Sequence, residues 1–473
     1  MRLSAKLACA VAVVAAALSA QTAPTFPIVR LNITTDSQGS GELTAADLQI
    51  ADQGKGQSVV YLRHVDASKA ARTGPGEFTN RTASLPHTAV ILIDYLNNGQ
   101  QDNIEETHRL GKSLQSMASG ENVYLYLLTM EGNIQAIHGL PGDPAAAPGE
   151  DKTWTKDMYA ALEKLMKKEV KARNKGLTSE FVTKRTYFAI ESLAKLLAPL
   201  PGRRDIVYVT NGFDSISDDK KTCNGDWIEC GLYLQHLVFT LDRAGAVLDP
   251  ISIGGLLSPD GNRDMEMVAG LTGGKPFYNQ EPAAVLAQLA AMANDSYWVA
   301  FDLASDAWDS KFHRLKISAG GKGGKLQARN RFFAYPDTRP AVDRARAAVG
   351  PLLMNGADEP ALGVFVKTTA VAGGMHLQGS VDGQDIMVRE SGGVYLAHIT
   401  LLVGRQSATG LNGEPYVQDF DLKLDKDKYA LLLKDGLTFA QDVPLDPATV
   451  KLRVIAFDHS LGVGGAVTVP VAK

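Results

Sequence analysis

From Thr88 to Asp94 the chain is apolar at every interior position, and the run closes on a carboxylate followed by the small polar stretch Asn97, Asn98 and Gly99. Continuous β-forming residues without alternation mark a strand buried on both faces. Such a strand carries Asp94 to the carboxyl edge of its sheet, where open α/β sheets bind ligands. Further extended runs follow at Glu121–Thr129, Asn133–His138 (short enough for an edge), Asp205–Thr210, Ala246–Ile253 and Ser296–Asp302. Between them lie helical periodicities: Leu110, Leu114 and Met117; Trp154, Met158, Leu162 and Leu165; then Ile190, Leu193, Leu197 and Leu200, stopped by Pro201 and Gly202. Trp227–Arg243, Asp264–Leu271 and Pro282–Ala293 read as helices too. This alternation predicts an α/β class, a doubly wound, mostly parallel, Rossmann-like sheet covered on both faces.

The flanks read differently. Residues 26–66 predict a small β domain, with strands at Ile28–Thr34 and Gln57–Arg63 and a turn plus extended piece over Leu43–Asp52. Residues 67–86, rich in Ala, Thr, Gly and Ser, predict a linker, and residues 87–304 the α/β domain. Residues 305–338 predict a β-hairpin extension, Phe312–Ile317 and Leu326–Phe333 around a glycine-rich turn, and Arg339–Val349 a short helix or linker. Residues 350–473 carry about eight β-like runs divided by Gly/Asp turns, among them Val394–Val403, Phe420–Leu424 and Lys451–Phe457, and predict an antiparallel β-sandwich.

Composition narrows the setting. With 473 residues at 45% hydrophobic content the chain can build two or three cores. A net charge of −4, spread evenly, predicts no nucleic-acid partner. Residues 1–20 have Arg2 and Lys6, then an Ala/Val/Leu run and small residues, the pattern of a secretory signal peptide. Cys9 sits too early in that run for a lipoprotein. No later segment reaches about 18 uninterrupted apolar residues, so export without an integral membrane segment is expected, to the periplasm, the cell surface or the medium. Cys223 and Cys230 then remain, and an oxidising compartment predicts a local disulfide between them, the alternative being two reduced thiols. Zinc there lacks ligands, since only His236 is near. The lysines around 164–171 predict a solvated helix face.

Three segments should converge on the carboxyl edge: Asp94–Asn98, Lys184–Thr186 and Thr210–Asp214. At this point the chain resembles von Willebrand factor A (VWA) domain proteins, more closely the secreted VWFA-related type found in acidobacteria. The resemblance is carried by Ala189–Ala194 before Leu200–Gly212, by Leu271–Phe277, and by Tyr297–Phe301 before Phe312–Ile317 and Ala328–Arg329. It implies a metal site built from an Asp-x-Ser-x-Ser loop, a Thr and a second Asp, whose hard oxygens suit Mg²⁺ or Ca²⁺. Matched residue by residue, Asp94 keeps the first position, Leu96 replaces the first Ser, Asn98 replaces the second, Thr186 fits the Thr, and Asn211 stands where Asp is expected. A set of Asp94, Asn98, Thr186 and Asn211 has one charge and a ligand missing, a degenerate site that would hold Mg or Ca weakly. The bland reading makes Asp94 an acceptor of backbone N–H groups and Asn211 a turn cap.

Catalytic constellations are not found. The histidines show no His-x-x-x-His pair, there is no Gly-x-Ser-x-Gly elbow, and no phosphate or dinucleotide glycine loop follows a predicted strand. Asp458, His459 and Ser460 spell a triad but read as a turn between the terminal strands. The expectation is an exported, non-enzymatic binding or adhesion protein that contacts a protein partner. The alternatives are a metal-dependent adhesion or scaffold module, and a secreted hydrolase with the sandwich as accessory domain.

Overall fold

The computed structural model describes residues 28–35, 42–70, 72–97, 122–144, 156–171, 177–210, 227–252, 259–320, 326–354 and 356–471. The expected class is corrected. Among the described residues strand outweighs helix, and four of the five sheets are antiparallel throughout. A doubly wound α/β chain is therefore not the architecture. The physical reason is strand partnership, which apolar patterning does not encode. Asp295–Asp302, expected to finish the parallel sheet, lies instead between Ile28–Thr35 and Val59–Asp66, antiparallel to both.

The sheet that holds Asp94 is the exception to the antiparallel rule. Its order is Phe277–Tyr278, Ala246–Ser252, Arg203–Thr210, His87–Asp94, Val123–Leu128, Ile134–His138. All neighbours run parallel except the last pair, so Ile134–His138 is the edge hairpin strand its length suggested. Every residue from Thr88 to Asp94 is buried, as an uninterrupted apolar strand requires. Val90, Leu92, Ile206 and Tyr208 pack against Leu193, Leu197, Leu237 and Leu241. Ile91, Ile93 and Val207 pack on the other side against Leu162, Met166, Val285 and Leu289. Lys164, Lys167 and Lys168 are exposed, the solvated face anticipated for that helix.

The helix expected after Thr186 begins earlier, at Ser179, and runs to Leu197. Thr178 caps it, its hydroxyl accepting the Phe181 N–H at 3.2 Å. Beyond it Gly202 adopts φ +69°, and a Cβ there would lie 2.0 Å from the Pro86 carbonyl oxygen, so a side chain would collide.

The antiparallel remainder forms two bodies. Ile28–Thr35, Val59–Asp66, Asp295–Asp302, Leu48–Asp52 and Phe312–Ala319 share one core through Val29, Leu31, Ile33, Ile50, Val299, Phe301 and Leu315. Phe312–Arg314 pairs with Arg331–Phe333, as the hairpin reading expected, while Leu326–Gln327 turns to pair with Thr34–Thr35. The second body is a pair of antiparallel sheets between Val364 and Pro470 around Val366, Leu377, Ile399, Leu401 and Val454. The stretch that read as a linker supplies it with a strand: Glu77–Thr79 pairs with Phe365–Lys367. Asn80, fully buried, donates to the Glu359 and Leu362 carbonyls and accepts the Val364 N–H. Asp385, wholly buried, joins the bodies by accepting from Arg63 Nε at 2.6 Å and Arg81 Nη2 at 2.7 Å. The helix Ala341–Met354 covers the outer face of the larger sheet through Ala345, Val349 and Leu353, and the buried Arg453 donates to the Leu352 carbonyl at its end.

Candidate functional site

Asp94 ends its strand with no solvent exposure, and its carboxylate is saturated by the protein. Oδ1 accepts the backbone N–H of Leu96 at 2.9 Å and of Asn97 at 3.1 Å, the tight turn that small polar residues after a strand favour. Oδ2 accepts the Asn97 amide at 2.8 Å, the Tyr208 hydroxyl at 2.5 Å and the Thr210 hydroxyl at 2.7 Å. Parallel pairing sets Leu92 beside Tyr208 and Ile93 beside Val209, which brings Tyr208 and Thr210 within reach. Burial pushes the Asp94 carboxyl up, opposed by the hydroxyl and amide donors. Tyr208 is driven well above its ordinary value by burial and by the Asp94 carboxylate it faces.

Thr186 is brought to the same place, from inside a helix and not from a loop. Its hydroxyl donates to the Val182 carbonyl one turn back at 3.0 Å and accepts the Asn97 amide at 2.9 Å. Asn97 thus ties together Asp94, Thr186 and Tyr208, to which its amide also reaches at 3.2 Å. Asn98 and Asn211, the other two residues of the expected metal set, lie outside the described residues, as does Asp214. Cys223 does too, so the expected Cys223–Cys230 disulfide lies outside them. Among the residues that are described, the fit to Mg²⁺ or Ca²⁺ is poor. A hard cation needs oxygen lone pairs turned toward it, and here donor hydrogens of Asn97, Tyr208 and Thr210 occupy Oδ2.

Sequence reasoning missed Asn97 and Tyr208, the two side chains that complete this network. The only signal for Asn97 was its place three residues past a strand-terminal Asp. Tyr208 carried a faint one, a phenol inside an otherwise aliphatic strand.

A second buried polar group lies toward the amino ends of the same strands. His87 Nε2 is 2.7 Å from Asp205 Oδ2, and Arg203 Nε donates to the same carboxylate. Burial pushes Asp205 up, but Arg203 and His87 hold it below the usual range. Asp249 accepts the Lys275 N–H and is raised well above the usual range by burial, with Asp205 adding to the effect. This arrangement fixes strand starts.

Asp458, His459 and Ser460 are not a triad. Asp458 accepts the backbone N–H groups of Ser460, Leu461 and Met387, which fixes the turn between the last two strands, as expected. No helix among the described residues is long and apolar enough to cross a membrane. No protein-family model matches the chain, and no curated protein matches it either.

Proposed function

We propose that the chain is an exported, non-catalytic binding protein that contacts a protein partner at the carboxyl edge of the sheet built on His87–Asp94, as its resemblance to VWA proteins implies. The observation that carries the reading is the closed state of Asp94. A carboxylate that accepts five hydrogen bonds from described residues of its own chain has its lone pairs taken up by those donors and not turned toward a substrate or an ion. What it does supply is shape, because it pins the turn at Leu96–Asn97 to the neighbouring strand and helix. A rigid edge is what a protein-contact surface needs, since little ordering is then left to oppose association.

The test is affinity capture from an exported-protein fraction, with and without chelator. Two variants are compared with the wild type: Glu131→Arg, on the exposed turn after Val123–Leu128, and Asn97→Ala, which unties the network. A partner retained by the wild type, lost with both variants and indifferent to chelator is the expected result. Equal recovery with both variants, or cleavage of the captured protein, would overturn the reading.

A further inference from the structure

A second constellation sits far from Asp94, on the outer face of the larger C-terminal sheet. Val394–Ser407 pairs antiparallel with Tyr416–Leu424, which sets His398 opposite Asp421 and Thr400 opposite Asp419. On its other side Thr400 pairs with Phe457, so the chain leaving Lys451–Asp458 places His459 beside them. Ala397, Ile399 and Leu401 enter the sandwich core, and strand alternation turns His398 and Thr400 to the opposite face. The two imidazoles stack with centroids 3.9 Å apart and planes within 4°. Thr400 Oγ1 donates to Asp419 Oδ1 at 2.5 Å and lies 2.8 Å from His459 Nε2. His398 is only 6% exposed, and its Nε2 is buried without a hydrogen-bond partner among the described residues. Two carboxylate oxygens flank that nitrogen, Asp419 Oδ1 and Asp421 Oδ1, each at 3.9 Å, too far to bond it. A buried polar atom left this way is costly and calls for an explanation.

We propose that His398, Asp419 and His459, with Asp421 at the rim, bind a divalent transition-metal ion of the zinc class. One ligand atom from each of the first three lies within 4.8 Å of the others. Metal–ligand bonds of about 2.0–2.2 Å set tetrahedral ligand atoms roughly 3.3–3.6 Å apart. The 3.9 Å spacing from His398 Nε2 to Asp419 therefore needs to close by only a few tenths of an ångström, while His459 has to leave Thr400 and tilt out of its parallel stack on His398 so that its ring plane meets the ion. Two imidazole nitrogens select zinc-like ions over Mg²⁺ and Ca²⁺, which take oxygen ligands. The two carboxylates balance the charge of a dication. Thr400, donating to Asp419, holds that carboxylate in place as outer hydrogen bonds do around metal ligands.

The test uses the full chain without a polyhistidine tag, stripped with chelator and titrated with Zn²⁺ by calorimetry and with Co²⁺ by absorption. One Zn²⁺ per chain is expected, bound at least about tenfold more weakly by His398→Ala, His459→Gln and Asp419→Asn, together with a Co²⁺ ligand-field spectrum that these variants lose. Circular dichroism establishes which variants are folded. Should His398→Ala fail to fold, the other two carry the comparison. Absence of Zn²⁺ binding at millimolar metal overturns the proposal. So does an affinity that all three substitutions leave unchanged, which would place the ion elsewhere. A third adverse result is a response to pH alone, which would make His398 a protonated partner of Asp419 and Asp421 with no ion involved.

Discussion

Replacing Asp94 by Asn separates a structural carboxylate from a metal ligand. The substitution is nearly isosteric, so packing is kept and only the acceptors change. Among the described residues Oδ2 receives three donors and Oδ1 two. Whichever way an amide is turned, its NH₂ group confronts at least two donors that then lose their acceptor. With the amide oxygen at the three-donor position, the orphans are the Leu96 and Asn97 N–H groups. An orphaned buried donor costs about 1–3 kcal/mol, and Asn97 is only partly buried, so the loss is about 2–5 kcal/mol. At about 1.4 kcal/mol per factor of ten, amide exchange in peptides covering residues 87–97 and 203–210 should accelerate about 30- to 4,000-fold, wherever those amides exchange through opening of this sheet. Hydrogen-exchange mass spectrometry on the full chain reads this directly, with peptides from Val394–Ser407 as the unaffected control. The acceleration should be the same in chelator and in millimolar Mg²⁺. An acceleration under about threefold, or one confined to the Mg²⁺ sample, would refute the account of Asp94 as an internally satisfied anchor.

Three further outcomes are expected. Folded Asp249 is held protonated by burial and by Asp205, whereas the unfolded chain releases that proton near about pH 4. Its contribution is complete below that pH and declines as pH rises toward the folded value, so Asp249→Asn should gain melting temperature relative to wild type between pH 5 and pH 8, and a pH-independent offset would contradict this. Arg453, wholly buried, donates to the Leu352 and Ala357 carbonyls, Asp358 and Thr468. Arg453→Met should cost about 3 kcal/mol, read in urea unfolding, with faster exchange across Ala341–Met354. Asp385→Ala removes the acceptor shared by Arg63, Arg81 and the Gly363 N–H and should raise limited proteolysis within 67–86 about tenfold, a rate that unchanged cleavage would show to be set elsewhere.

Local signals made some of this legible. An apolar run with no polar interruption is readable as a buried strand because burial on both faces leaves it no alternative, and His87–Asp94 is that case. The Lys156–Lys171 helix and the Ile134–His138 edge are similar. What could not be read was partnership. Asp295–Asp302 is plainly β-forming, yet nothing within it says that its neighbours are Ile28–Thr35 and Val59–Asp66, more than two hundred positions away. The class expectation failed at that point. Glu77–Thr79 and Asn80 failed for the converse reason: their order comes from hydrogen bonds to Val364, Leu362 and Glu359, so a stretch with linker composition is fixed in place. Thr186 lies inside a helix whose start the sequence does not announce, because the Thr178 cap lacks the acidic residue three positions on that completes a capping box.

The same limit explains why the two polar sites differed in visibility. Asp94 stands at the end of a strand whose direction is evident, so its delivery to a sheet edge follows from sequence; whether it faces an ion or a phenol depends on Tyr208, which only register supplies. His398, Asp419 and His459 have no motif spacing, because their proximity comes from two antiparallel pairings, His398 with Asp421 and Thr400 with Phe457. Read linearly they are isolated polar residues on strands, and His459 even borrows the appearance of a triad from its neighbours. The carboxylate that looked like a metal ligand is closed by its own chain, and the histidine that looked like nothing is buried with a nitrogen that has no hydrogen bond among the described residues. Hydrogen-bond satisfaction therefore discriminates here where residue type does not: a closed acceptor supports structure, and an unfilled donor–acceptor position among carboxylates is where a ligand would be stabilised.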